Sequence, residues 1–195
     1  MNLRPLRPLP SSAFLVLLAL PLTVACSGDD GQGTDTTPVD TGSPAPDLPE
    51  IYINEFMAAN SLTYADESGA YPDWVELYNA GTEDVDLEGY WFTDDKGDKR
   101  KHLLAPGVSI PAGGYLVLFC DGDTGDGPLH IGFNLDAQGG EDIGLYAPDE
   151  LDNAEIDSLS QFGQQAPDIS LARSPDGSSN WIIEYEPTPG ASNGG

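Results

Sequence analysis

The sequence predicts an all-β fold, an antiparallel β-sandwich or barrel, for residues 51–195. Short apolar runs recur along this region, and turn-forming Gly, Pro, Asp and Asn residues separate them. Nowhere do the apolar residues follow the helical period for more than one turn. Many short runs at this spacing are typical of a sandwich or a barrel. A region of about 145 residues is also long enough for one domain with a single hydrophobic core.

Ten apolar runs are predicted to form the strands. In chain order they are residues 51–56, 74–78, 85–87, 90–93, 102–104, 115–120, 131–135, 143–146, 156–159 and 181–183. The run 115–120 is apolar on both faces, which predicts a central strand that is covered on both sides. In the first strand, side-chain alternation places Ile51, Ile53 and Glu55 on one face.

Turn residues separate these strands. Residues 111–114, Pro-Ala-Gly-Gly, are expected to form the turn that leads into the central strand. Residues 95–98, Asp-Lys-Gly-Asp, predict a hairpin turn in which Gly97 adopts a positive φ. Residues 187–195 are expected to end the fold as an extended, solvated strip.

Residues 1–25 have the layout of a cleaved export signal. Two arginines come first, and an apolar run follows that is too short to span a bilayer comfortably. Ala25 directly precedes Cys26, which resembles the lipobox of bacterial lipoproteins, with Thr23 at the position that is usually Leu. The resemblance implies cleavage before Cys26 and attachment to a membrane by lipid on its thiol. The alternative is an ordinary secreted protein in which Cys26 is a free thiol.

Residues 26–50 are predicted to be the lipidated cysteine and a disordered acidic linker. They consist mainly of Gly, Pro, Thr, Ser and Asp, so they bury too little apolar surface to offset the entropy of ordering. Ser27 follows the cysteine, and by analogy with lipoprotein sorting this favours the outer membrane. The expected location is therefore the bacterial cell envelope.

The charge of the chain restricts its partners. Removing residues 1–25 takes away two of the seven Lys and Arg residues and none of the 33 Asp and Glu residues, so the net charge changes from −26 to −28. Such a chain repels phosphate backbones, and no nucleic acid is expected as a partner. Divalent cations and basic partner surfaces are compatible with this charge. If Cys26 is lipidated, Cys120 has no partner for a disulfide within the chain.

Several segments from residue 53 onwards resemble the lamin tail domain as it occurs in bacterial exported proteins. In order they are residues 53–56 (INEF), 73–79 (DWVELYN), 85–90 (VDLEGY), 93–95 (TDD), 110–116 (IPAGGYL), 130 with 133–135 (H and FNL), 174–177 with 181 (SPDG and W) and 187–193 (PTPGASN). The resemblance implies an immunoglobulin-like β-sandwich and a binding or targeting module. It brings no catalytic residues. The expected function is therefore a non-catalytic, lipid-anchored interaction or adhesion module, with a protein or polysaccharide partner that the sequence does not identify.

An acidic loop follows the central strand and is a candidate cation site. Asp121, Asp123 and Asp126 place three carboxylates in a short glycine-containing stretch, and Ca²⁺ prefers several oxygen ligands. The spacing does not match an EF-hand. The alternative is a solvated loop on an acidic protein, and no cofactor is required. A Ca²⁺-bridged structural role at the cell surface is a further hypothesis.

Glu55 and Glu76 are the candidate carboxylate pair. If their strands are neighbours, the two side chains are able to share a proton or a metal, which would suit a small metal-dependent hydrolase. The alternative is that each carboxylate accepts hydrogen bonds from backbone N–H groups and organises the adjoining loops. His102 and His130 lack the spacing of a zinc motif, so each is expected to be hydrogen-bonded within a strand or turn.

A face of the second strand and a basic stretch are predicted to lie at the surface. Alternation places Trp74, Glu76 and Tyr78 on one face of the second strand, opposite Val75 and Leu77, so these three residues are the candidate binding surface. Residues 96–101 hold four of the basic residues, and they are expected to pair with acidic neighbours of the same chain or to contact an acidic partner.

Overall fold

The computed structural model of the protein describes residues 47–194. The predicted signal sequence, Cys26 and the linker up to residue 46 lie outside the described residues. Within the described range the chain forms strands and one 3₁₀-helix, Asp149–Leu151. The strands are β1 (Ile51–Met57), β2 (Asp73–Asn79), β3 (Val85–Asp86), β4 (Trp91–Thr93), β5 (His102–Leu103), β6 (Ser109–Ile110), β7 (Tyr115–Cys120), β8 (His130–Ile131), β9 (Ile143–Tyr146), β10 (Glu155–Leu159), β11 (Ser170–Arg173) and β12 (Trp181–Glu184).

The strands form an immunoglobulin-like β-sandwich, as predicted. One sheet has the order β12-β11-β1-β2-β7-β8, the second has the order β10-β9-β4-β5, and β3 pairs with β6 in a small ribbon. The pairs are antiparallel except β7 and β8, which are parallel. The acidic loop 121–129 allows the parallel pairing, because it returns the chain from the end of β7 to a position beside Phe119, where β8 begins.

The main core lies between the inner faces of the two large sheets. Its fully buried members include Phe56 and Leu118 from the six-stranded sheet and Phe92 and Leu145 from the four-stranded sheet. Leu48 also packs against this core, so the packed chain begins before Ile51. Among the described residues no helix has the length and apolar character that crossing a membrane would require.

Strand β7 is buried on both faces, as its sequence predicts. Leu118 and Cys120 face the main core, whereas Val117 and Phe119 belong to a second apolar cluster on the other face of the sheet. Cys120 is fully buried as a free thiol, and burial raises its pKa well above the ordinary value. Cys120 therefore acts as a small apolar core residue.

A β-bulge in β1 overturns the predicted face of Glu55. Ile53 pairs with Leu77, but Glu55 already pairs with Glu76, so the register shifts at Asn54. The extra residue inverts the alternation beyond it. Glu55 consequently faces away from the main core that Ile51 and Ile53 enter.

Two strands were not among the predicted runs. Both β6 and β11 are short and rich in small or polar residues, and β11 reads Ser-Leu-Ala-Arg. The predicted strand 131–135 is also shorter than expected, since β8 spans His130–Ile131 and Asn134 forms an isolated bridge with Asp121. The turn at 111–114 is confirmed by a hydrogen bond from Gly114 N to Pro111 O of 2.9 Å.

The turn at residues 95–98 is confirmed, but its predicted backbone conformation is wrong. Asp98 N donates to Asp95 O at 2.8 Å, yet Gly97 is not among the glycines with positive φ. The Asp95 side chain stabilises the turn instead, because its Oδ1 accepts a hydrogen bond from Gly97 N at 2.8 Å.

Candidate functional site

Other parts of the chain cover the strand face that carries Trp74, Glu76 and Tyr78. As predicted, these side chains lie opposite Val75 and Leu77, but Trp74 and Glu76 are fully buried. The prediction that they form an exposed binding surface is therefore wrong. Tyr78 is half-buried.

Two distant segments provide this cover. Tyr64, from the loop between β1 and β2, packs its ring 6.2 Å from that of Trp74. Residues 187–194, here called the C-terminal segment, bond to Glu76. The ring of Tyr115 stacks 5.0 Å from that of Tyr78. Side-chain alternation predicts correctly that these three side chains point away from the main core. It does not predict their exposure, because segments distant in sequence fold over them.

Glu55 and Glu76 lie directly opposite each other on β1 and β2, and both are fully buried. Glu55 accepts a hydrogen bond from the Ser170 hydroxyl at 2.5 Å. It also accepts hydrogen bonds from the backbone N–H and the hydroxyl of Thr188, each at 3.2 Å. Burial raises the pKa of Glu55 above its ordinary value, although these hydrogen bonds act in the opposite direction.

Glu76 has a second pair of donors. Its carboxylate accepts a hydrogen bond from Gly190 N at 2.6 Å and another from Asn54 Nδ2 at 3.1 Å. Burial raises the pKa of Glu76 to about 8, and the charge of Glu55 adds to this rise. A pKa of about 8 favours the protonated form of the Glu76 carboxyl at neutral pH. The alternative interpretation of these glutamates, as acceptors that organise the adjoining chain, agrees with these contacts.

Asp176 fastens the end of the C-terminal segment. Its carboxylate accepts hydrogen bonds from the Ser192 hydroxyl at 2.5 Å and from Asn193 N at 2.9 Å. Tyr115 and Asn54 donate to it as well, at 2.7 Å and 3.0 Å. Burial would raise the pKa of Asp176, but these hydrogen bonds outweigh it and lower the pKa. Asn193 is buried, so the prediction of a solvated strip at the C-terminus is wrong for this part of it.

Arg173 connects the two sheets beside this network. It is buried at the end of β11, and its Nε donates to Ile53 O at 2.7 Å. Its Nη2 lies 2.9 Å and 3.1 Å from the two carboxylate oxygens of Asp157 on β10. Asp157 in turn accepts a hydrogen bond from Ile53 N at 2.8 Å. The guanidinium also lies 4.8 Å from the ring centre of Trp181.

The acidic loop contributes one of its three predicted residues to a cluster around His130. Asp121 Oδ2 lies 2.6 Å from His130 Nδ1, and Glu67 Oε1 lies 3.1 Å from His130 Nε2. Asp66 completes the cluster, because ligand atoms of Asp66, Asp121 and His130 all lie within 4.8 Å of one another. Burial lowers the pKa of His130, but the hydrogen bonds and charges of the carboxylates outweigh it and raise the pKa.

The other two predicted residues lie outside this cluster. Asp123 Oδ1 accepts a hydrogen bond from Gly125 N at 2.9 Å, and Asp126 is exposed. Ca²⁺ binding by Asp121, Asp123 and Asp126 together stays a prediction. The cluster itself was missed because Asp66 and Glu67 stand far from His130 in sequence.

Three of the four basic residues in 96–101 pair with acidic neighbours of the same chain, as expected, and the fourth, Lys99, lies 4.8 Å from the ring centre of Tyr146. Lys101 lies 2.5 Å from Asp94, and Arg100 lies 2.8 Å from Asp149. His102 is also hydrogen-bonded within a strand, since its Nδ1 accepts from Gly132 N at 3.1 Å. These contacts explain the basic stretch without a partner.

The outermost strand of the six-stranded sheet, β12, carries exposed apolar side chains. Ile183 is 59 % exposed and Tyr185, one residue beyond the strand, is 72 % exposed. They line an apolar groove of about 350 Å³ with Ile169 and Leu171. The sequence predicts a strand at 181–183 but not its place at the sheet edge, because edge position depends on strand order.

Comparison with known proteins identifies the family. The profile of the Lamin Tail Domain family matches residues 44–163, more than half of the chain. No curated protein and no solved structure matches the chain. The matched range ends before β11 and β12, which complete the six-stranded sheet on the other side of β1. The chain belongs to the lamin tail domain family.

Proposed function

We propose that this protein is a lipid-anchored component of the bacterial cell envelope that presents its lamin tail domain as a non-catalytic interaction module. The family supports an immunoglobulin-like interaction module. The export signal and lipobox-like Cys26 support the anchor. The observation that carries the interaction surface is the exposed apolar edge of β12.

The buried glutamates support a non-catalytic role. Donors from the same chain surround the carboxylates of Glu55 and Glu76, and both side chains are closed off from solvent. A general acid or a metal ligand of a hydrolase must reach its substrate. This pair is therefore better suited to holding the C-terminal segment than to hydrolysis.

The β12 edge is suited to an extended partner segment. An edge strand presents unpaired backbone groups, and a partner strand is able to bond to them while its side chains enter adjacent pockets. Here the apolar groove beside Ile183 and Tyr185 accommodates apolar side chains. Glu184 and Glu186 lie in the same stretch, and the chain carries a net charge of −26. The partner is accordingly an extended segment that alternates apolar and basic residues.

Charge disfavours two other occupants of this groove, namely the protein's own linker and a second copy of the protein. The linker is acidic and has almost no large apolar side chains to fill the groove. A second copy would bring Glu184 and Glu186 close to like charges on an equally acidic chain. A basic segment of another molecule meets neither obstacle.

We expect the full-length protein to bind a short synthetic peptide of alternating valine and lysine, measured by fluorescence anisotropy. Ile183→Lys should weaken binding at least about tenfold, because a charged side chain on an edge strand opposes pairing. Leu103→Lys is the matched control, since Leu103 is 49 % exposed on β5, an edge strand of the other large sheet. Equal binding by both variants would contradict the β12 surface, and binding of a valine–glutamate peptide would contradict the role of charge.

The lipid anchor has an independent test. Metabolic labelling with a fatty acid should label the wild-type protein and leave Cys26→Ala unlabelled. The other cysteine, Cys120, is fully buried, so any thiol-linked label on the folded protein reports Cys26. Equal label in both proteins would refute the anchor.

A further inference from the structure

We propose that Asp66, Asp121 and His130 bind a divalent transition-metal ion of the Zn²⁺ class, with Glu67 as the carboxylate that holds the other ring nitrogen of His130. This site differs in its residues from the three-aspartate calcium site that the sequence suggests. It lies at the end of the six-stranded sheet, where β8 and the loop 121–129 meet the loop between β1 and β2. It is independent of the interaction surface on β12.

The first support is the proximity of donors from three separate segments. Atoms of Asp66, Asp121 and His130 lie within 4.8 Å of one another, so one ion between them would contact all three after small side-chain adjustments. Glu67 Oε1 lies 3.1 Å from the imidazole Nε2 on the outer side. Asp121 contacts the opposite nitrogen, Nδ1, so Glu67 orients the imidazole from outside the site, as carboxylates commonly do for metal-bound histidines. Three protein ligands with a fourth position for water match a known class of Zn²⁺ site.

The second support is the buried imidazole. His130 is 2 % exposed, and its position is set by β8, where it pairs with Phe119 of β7. The imidazole at its centre distinguishes this site from a surface cluster that consists of carboxylates alone. It also selects the metal, since imidazole suits Zn²⁺ and related ions, whereas Ca²⁺ prefers oxygen ligands alone.

The third support is the charge balance. Three carboxylates surround a single imidazole, and among residues 47–194 no Lys or Arg forms an ion pair with any of the three. Even a protonated His130 would leave two negative charges uncompensated. A divalent cation supplies that charge.

The carboxylates also leave oxygens available for an ion. Asp66 Oδ1 is occupied by Ser68 N at 2.8 Å and Ala70 N at 2.9 Å, and Asp121 Oδ1 accepts from Asp123 N at 3.0 Å. The second oxygen of Asp121 faces His130 Nδ1 at 2.6 Å, so an ion at this nitrogen would take the place of the proton between them. A groove lined by Thr124 and Gly127 reaches the imidazole of His130 from the surface.

The test uses the full-length protein after treatment with a chelator. Titration calorimetry with ZnCl₂ should show one binding event per chain, and Zn²⁺ should raise the melting temperature. His130→Asn and Glu67→Gln should each weaken Zn²⁺ binding at least about tenfold. Glu67→Gln alters an exposed side chain, so its effect does not depend on whether the buried His130→Asn variant folds.

Asp126→Asn is the matched control, because Asp126 is an exposed carboxylate of the same loop outside the site. It should keep wild-type Zn²⁺ affinity. Addition of Co²⁺ should give visible absorption bands that are lost in His130→Asn. Three results would overturn the proposal: no heat and no thermal shift with ZnCl₂, unchanged affinity in Glu67→Gln, or Ca²⁺ binding that matches Zn²⁺ and is lost in Asp126→Asn. Without heat or a thermal shift, the cluster is a set of hydrogen bonds between a histidine and carboxylates. Ca²⁺ binding that is lost in Asp126→Asn would instead support the three-aspartate calcium site.

Discussion

Arg173→Ala should destabilise the domain by about 3–5 kcal/mol, the range found when one partner of a buried ion pair is removed. The substitution leaves the largely buried Asp157 carboxylate without its counter-charge and Ile53 O without its side-chain donor. It also removes the contact between the guanidinium and the ring of Trp181. The free energy of unfolding, from urea titration followed by tryptophan fluorescence, measures this loss.

Two control variants separate the pair from a general effect of losing an arginine. Arg100→Ala removes an exposed arginine that pairs with exposed Asp149, and it should cost less than about 1 kcal/mol. Adding Asp157→Asn to Arg173→Ala should recover part of the loss, because it removes the stranded charge and keeps an oxygen for Ile53 N. A loss in Arg173→Ala no larger than in Arg100→Ala would show that Arg173 does not connect the sheets.

The second large effect is a pH dependence of stability that Glu76→Gln should reduce. The unfolded chain releases the Glu76 proton near its ordinary pKa of 4.5, whereas the folded protein retains it up to a pKa of about 8. The folded state thus binds more protons between these values, so this group's contribution to stability is complete below pH 4.5 and is lost as the pH rises through 8. One pKa unit corresponds to about 1.4 kcal/mol, which makes the total on the order of several kcal/mol.

Wild-type stability should therefore fall as the pH rises from about 5 to 8, and the slope in Glu76→Gln should be clearly smaller. The amide is neutral at every pH and resembles the protonated carboxyl in shape, but its NH₂ group cannot accept a hydrogen bond from Gly190 N or Asn54 Nδ2. The variant should therefore exceed the wild type in stability at pH 8 by roughly 2–4 kcal/mol, which is the pKa contribution less one hydrogen bond. The free energy of unfolding at several pH values measures both slopes. Glu150→Gln, at an exposed position, makes the same change in net charge and controls for it. Identical slopes in wild type and Glu76→Gln would contradict the buried, protonated state.

A strand was predictable from the sequence only where its own residues show that they must be buried. Strand β7 was predictable because six successive apolar residues need cover on both faces, wherever that cover comes from. Strand β11 was not, because Ser170 and Arg173 look like surface residues in isolation. Their burial requires Glu55 and Asp157, which accept their hydrogen bonds from distant strands.

The face of Glu55 shows the limit of alternation. A period of two residues predicts side-chain direction only while the ladder is regular, and one extra residue at Asn54 reverses it. Nothing in the sequence Ile-Asn-Glu-Phe distinguishes a bulge from a regular strand. The bulge became visible only through the pairing of β1 with β2.

By itself the sequence determined the all-β class, the family, most of the strands and the candidate anchor at Cys26, because short-range patterns and ordered motifs carry that information. Tertiary structure alone decided which polar residues form sites. It buried Trp74 and Glu76 beneath distant segments, joined Arg173 to Asp157 across the two sheets, and brought Asp66 to His130. Such contacts depend on register, strand order and loop paths, and these follow from packing of the whole chain rather than from any local stretch of it.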